Sequence, residues 1–106
     1  MKIPFMKAHG AGNDFVIIDK NVDLIRKSKK IIKKLCDRRF GIGCDQLILL
    51  KKVGAYHQVA FYNSDGSLGK NCGNGLRCVY KFLVEEKKIK NVIIKSHKFI
   101  LSLIHI

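Results

Sequence analysis

An α+β domain is the fold class that the sequence predicts, and three observations carry it. Short apolar runs of strand length, Phe15-Val16-Ile17-Ile18, Leu47-Ile48-Leu49-Leu50 and Val59-Ala60-Phe61-Tyr62, are closed by clusters rich in Gly, Asn and Asp. Between them lie two segments whose apolar residues recur at helical spacing, one with Ile31, Ile32 and Leu35 and one with Leu76, Val79, Tyr80 and Leu83. The resulting order is strand, strand, helix, strand, strand, helix, strand.

Each element has a local reason. Residues 3–8 read as a first strand, with Pro4 near its start, where a missing N–H does least harm. His9-Gly10-Ala11-Gly12-Asn13-Asp14 then reads as a turn. Its glycines match neither the dinucleotide fingerprint nor the P-loop, because an extended β-branched run follows them where those motifs require a helix. Residues 21–27 read as a polar connector. Ser28 is placed to cap a helix running to about Arg38, with Ile31, Ile32 and Leu35 inward and Lys29, Lys30, Lys33 and Lys34 outward. Gly41-Ile42-Gly43-Cys44-Asp45-Gln46 ends that helix and leads into the second buried strand. Asp65-Gly66 marks a tight turn after the third. A further strand is expected over residues 91–95. The segment 96–106 reads as a separate apolar tail after a domain of residues 1–95, either one more strand or a frameshifted stub.

Composition narrows the function classes. The net charge of +13 comes mostly from lysine and raises the question of an acidic partner. The lysines are scattered, however, and Phe61, Tyr62, Tyr80 and Phe82 lie in apolar runs and not between basic residues as a base-stacking platform requires. No nucleic-acid or membrane partner is therefore expected, and a cytoplasmic location is the default. Cys36, Cys44, Cys72 and Cys78 contain no C-x-x-C pair, and the four histidines fall at no ligand-like spacing, so neither a metal site nor a disulfide framework is expected. Cys36, Cys44 and Cys78 read as small buried hydrophobes.

Cys72 reads differently. In Asn71-Cys72-Gly73-Asn74-Gly75-Leu76-Arg77-Cys78 it stands at or just before the first turn of the predicted second helix. Unpaired N–H groups and partial positive charge at such an end stabilise both a thiolate and a bound carboxylate. Gly73 and Gly75 are expected to let a ligand approach those amides. The residues thus describe a nucleophilic or basic cysteine beside a carboxylate-binding nest.

The segment Cys72-Gly73-Asn74-Gly75-Leu76-Arg77-Cys78 resembles the first-cysteine motif of the diaminopimelate epimerases. Three further stretches match that family in the same order: His9-Gly10-Ala11-Gly12-Asn13-Asp14-Phe15, Phe40-Gly41-Ile42-Gly43-Cys44-Asp45-Gln46, and Tyr62-Asn63-Ser64-Asp65-Gly66-Ser67. The entry into the cysteine turn, Leu68-Gly69-Lys70-Asn71, departs from the family pattern of an acidic residue and a glutamine. The resemblance spans roughly residues 2–95, which corresponds to the family's N-terminal half. It implies a curved, mostly antiparallel sheet around a central helix, and interconversion of LL- and meso-diaminopimelate without a cofactor. Cys72 would be one of two proton-transferring thiols, and Asn13, Gln46, Asn63, Gly73 and Asn74 would bind the substrate. The partner cysteine belongs to the second half, so this chain is expected to be inactive alone, and the expected partners are a second copy of itself, in a homodimer, or a separately encoded second half. A non-catalytic remnant and a basic nucleic-acid-binding module are the alternatives.

Overall fold

The computed structural model describes residues 2–70, 73–96 and 100–104. Six strands, β1 (Met6–Gly10), β2 (Asn13–Ile18), β3 (Gln46–Val53), β4 (Tyr56–Asn63), β5 (Asn91–Lys95) and β6 (Ile100–Ile104), form one sheet in sequential order. The pairs β1–β2, β3–β4 and β5–β6 are antiparallel, whereas β2–β3 and β4–β5 are parallel. Parallel neighbours need a crossover, and helices supply it. The helices α1 (Val22–Arg26) and α2 (Lys29–Cys36) link β2 to β3, and α3 (Gly73–Lys81), continued by a π-helical turn over Phe82–Glu86, links β4 to β5. The expected α+β class and largely antiparallel sheet are both present, with β6 falling in the segment 96–106.

The crossovers cover both sheet faces, which explains the unbroken apolar runs at 15–18 and 47–50. Phe15, Ile17, Ile48, Leu50, Val59 and Phe61 pack with Val79, Phe82 and Leu83 on the α3 face. Val16, Ile18, Leu47 and Leu49 alternate with them and pack on the other face with Val22, Ile25, Ile32 and Cys36 from α1 and α2. A one-residue slip in either strand would exchange these two cores.

Several local expectations change in the structure. The turn after β1 shrinks to Ala11-Gly12, at φ 49° and 88°, so that Gly10 pairs with Asn13 and Asn13 opens a strand. The connector at 21–27 contains α1, a single turn that buries Val22 and Ile25. Ser28 does cap α2, its Oγ accepting from the Ile31 N–H at 3.2 Å. Ile31 nevertheless points outward, because Ile32 and Cys36, four residues apart, occupy the buried stripe. Past Lys81 the helix widens, with the Lys87 N–H donating to the Phe82 carbonyl, and two consecutive residues, Phe82 and Leu83, both reach the core.

Candidate active site

Strand register gathers the predicted amides. Gln46, the first residue of β3, pairs with Phe15 on one side and with Asn63 on the other. Directly paired residues share a face, and so do residues two apart on a strand. Gln46 and Asn63 therefore project on the α3 face, where Phe15 and Phe61 lie in the core. Asn13, two residues before Phe15, shares that face. Its partner Gly10 agrees, since a Cβ there would meet Asn74 and Cys78 of α3 at 3.4–3.5 Å. Three uncharged amides from three adjacent strands thus line one end of the sheet.

The N-terminal turn of α3 is seated over the same end. A Cβ on Gly75 would lie 2.4 Å from Cε2 of Phe61 and 3.3 Å from Cε1 of Phe15, so only glycine lets the helix approach the sheet this closely. This corrects the expectation for Gly75, which faces the core and not a ligand. Gly73 is exposed, with nothing within 4 Å of a Cβ built on it. Asn74 is half-buried against Gly10. Cys72, on which the sequence reading turns, lies outside the described residues; α3 begins at the residue that follows it.

Hydrogen bonds order the amides. The Gln46 Nε2 is 3.5 Å from Asn63 Oδ1, Asn63 Nδ2 donates to Ser67 Oγ at 3.0 Å, and Ser67 Oγ donates to Asp65 Oδ1 at 2.5 Å. The Ser67 hydroxyl and backbone N–H hold the Asp65 carboxyl below the usual carboxylate range, so it remains an acceptor and anchors this relay. Gly69 sits on top. A Cβ there would approach Asn63 Oδ1 to 2.9 Å and Gln46 Nε2 to 3.0 Å, crowding both amides.

On the reverse face a charged staple holds the strand ends. Arg38 donates through Nη1 and Nη2 to both oxygens of Asp14, at 2.9 and 2.7 Å, and through Nη2 to Asp45 at 3.0 Å. The backbone N–H groups of Asp14 and Asp45 each donate to the other's carboxylate, at 3.0 and 2.8 Å. Lys7 adds an ion pair to Asp14 at 2.9 Å and donates to the Gly43 carbonyl. The Arg38 guanidinium keeps the Asp14 carboxyl far below its ordinary range. Since Asp14 follows Asn13 and Asp45 precedes Gln46, the staple fixes the backbone from which two of the amides project. Asp14, Arg38, Asp45 and Gly69 were not singled out from the sequence. The two aspartates stand inside quoted motifs, but their side chains act on the opposite face, which motif spacing alone does not reveal.

A six-stranded mixed sheet with a helix end poised over one end of its strands places the described residues in a known structural class. A phenazine biosynthesis PhzF-family protein from Enterococcus faecalis matches it with a TM-score of 0.70 at 11% identity, over 100% of this chain and 41% of that one. Methylitaconate-delta-isomerase matches with a TM-score of 0.72 at 17% identity, over 96% and 34%. At such identities the likeness concerns the fold alone. The sequence is more specific. The diaminopimelate epimerase family model matches residues 5–99, and the chain belongs to that family. It is 51% identical over 86 residues to a diaminopimelate epimerase of Gluconobacter oxydans, covering 78% of this chain and 34% of that protein. With the diaminopimelate epimerase of Pelagibacter ubique it shares 50% identity over 93 residues, 87% of this chain and 34% of the other. The chain therefore spans about a third of the length of the curated relatives it matches.

Proposed function

We propose that this chain forms one half of a diaminopimelate epimerase site, interconverting LL- and meso-2,6-diaminopimelate by proton transfer without a cofactor. The observation that carries the reading is the convergence of Asn13, Gln46 and Asn63 on the sheet end beneath the N-terminal turn of α3, in a chain of this family. Amides suit an amino-carboxylate group, because each can donate to a carboxylate and accept from an ammonium. The backbone N–H groups at the start of α3, beside Gly73 and Asn74, would donate to the carboxylate of the reacting centre and lower the cost of a carbanion next to it.

Inversion removes a proton from one face of the α-carbon and returns one to the other. It therefore needs a base and an acid on opposite faces. Cys72 is the proposed thiol on one face. Its counterpart is not among the other cysteines of this chain. Cys36 and Cys44 lie in the core on the far side of the sheet, and Cys78 is on α3 with Sγ 3.6 Å from the His9 carbonyl oxygen. The partner thiol would come from a second polypeptide or segment closing over the amides. This reading expects a cytoplasmic enzyme of lysine and peptidoglycan precursor synthesis; among the described residues no helix is long and apolar enough to cross a membrane.

Alkylation with iodoacetamide tests the proposal. Cys72 should react several-fold faster than Cys78 at neutral pH, as thiolate character dictates, and diaminopimelate should slow Cys72 selectively. Equal rates, with no protection by the amino acid, would leave a non-catalytic remnant as the better description.

A further inference from the structure

On the far side of the sheet from the amides, the last residue of α2 and the loop entering β3 bring two thiols together. The Cys44 S–H donates to Cys36 Sγ at 3.6 Å, and the Cys44 backbone N–H donates to the Cys36 carbonyl at 3.2 Å. Both residues are buried, at 3% and 2% exposure, yet both are among the residues that border a surface basin of about 720 Å³. Its walls carry Lys33, Lys34, Arg38 and Arg39, and the remaining acidic members, Asp37 and Asp45, are fewer than the cations. Neither thiol has a role in the proposed epimerase chemistry.

We propose that Cys36 and Cys44 are a reversible dithiol modification site whose oxidant is a hydroperoxide admitted through this basin. The Cys36 thiolate attacks one peroxide oxygen; the S–O bond forms, the O–O bond breaks, and hydroxide leaves, giving a sulfenic acid. Cys44 then loses its proton to solvent and its sulfur attacks Cys36 Sγ, forming the S–S bond as the S–O bond breaks and the second oxygen departs as water. In sum, two thiols and one hydrogen peroxide give one disulfide and two waters. A thiol reductant reverses the reaction by exchange.

The geometry suits this order of events. The hydrogen bond from Cys44 lowers the pKa of Cys36 against the opposing effect of burial, and correspondingly raises that of Cys44, so Cys36 is the first nucleophile and Cys44 the resolving thiol. A disulfide requires the sulfurs to close by roughly 1.5 Å, a change that side-chain torsion can supply when the backbones are already hydrogen-bonded neighbours.

The test uses the whole 106-residue chain, reduced, exposed to hydrogen peroxide, and then alkylated under denaturing conditions for peptide mapping. The expected result is a Cys36–Cys44 cross-linked peptide that dithiothreitol restores to two alkylated cysteines, with the cross-link abolished when urea is present during oxidation. In Cys44→Ser, dimedone should label Cys36. Full alkylation of both residues after oxidation of the folded chain, or the same mixture of cross-links with and without urea, would overturn the proposal. The wild-type map is decisive even if the substituted chain does not fold.

Discussion

Replacing Gly75 by alanine sets two effects of opposite sign against each other. Inside a helix, alanine is favoured over glycine by up to about 1 kcal/mol, and less near the N-terminus, so propensity alone would make Gly75→Ala stabilising. Packing argues the reverse. The added methyl would stand 2.4 Å from Cε2 and 3.1 Å from Cζ of Phe61, a ring that is 1% exposed and has no room to retreat. Relief requires α3 to lift by roughly 1 Å, and overpacking of that kind costs about 1–3 kcal/mol. The net expectation is a loss of about 1 kcal/mol, which lowers Tm by roughly 4–8 °C in a domain of this size. Urea denaturation should show a lower midpoint with an unchanged slope. Adding Phe61→Leu, which removes the obstructing ring atoms, should make the double variant less destabilised than the sum of its parts. A Gly75→Ala chain as stable as the wild type, or strictly additive penalties, would refute the claim that this glycine seats α3 on the sheet.

Gly69→Ala should behave differently, because the atoms it meets are the movable amide ends of Asn63 and Gln46. Its stability should stay within about 0.5 kcal/mol of wild type while diaminopimelate binding, followed by protection of Cys72, weakens. Asp14→Asn addresses the staple through pH. The Asp14 carboxyl is held below its ordinary range by Arg38, so its contribution is complete above the unfolded carboxylate pKa and declines as pH falls below it. Between about pH 5 and pH 3 the urea midpoint of Asp14→Asn should therefore fall less than that of the wild type, and equal slopes would remove Asp14 from the account. With LL-diaminopimelate in deuterated water, the chain alone should form no meso isomer; inversion at an appreciable rate would show that a second thiol from elsewhere is not needed.

The elements legible in the sequence were those whose cause is local. The Ser28 cap, the apolar runs of β2 and β3 and the helical spacing of α3 each depend on neighbours within a few residues, and each appears in the structure. The amides at 13, 46 and 63 were legible as motif positions, but their convergence comes from register, a long-range property. Other features were hidden for the same reason. Gly75 reads locally as an opening for a ligand, yet it answers to Phe61, fourteen residues earlier and on another element. Arg38 reads as the end of a lysine-rich helix, whereas its partners are Asp14 of β2 and Asp45 of the loop that leads into β3. Cys36 and Cys44 each read as a small hydrophobe, and only the fold shows that they are a pair. Cys72 itself lies outside the described residues.

Side-chain amide resonances of the ¹⁵N-labelled chain, followed while diaminopimelate is added, test the central claim most directly. The NH₂ signals of Asn13, Gln46 and Asn63 are expected to move together along one titration curve, at the concentrations that slow alkylation of Cys72, while exposed Gln58 near the opposite end of β4 stays still. Movement confined to other sites, or three unmoved amides in the presence of a ligand that protects the cysteine, would contradict the placement of the substrate at this end of the sheet.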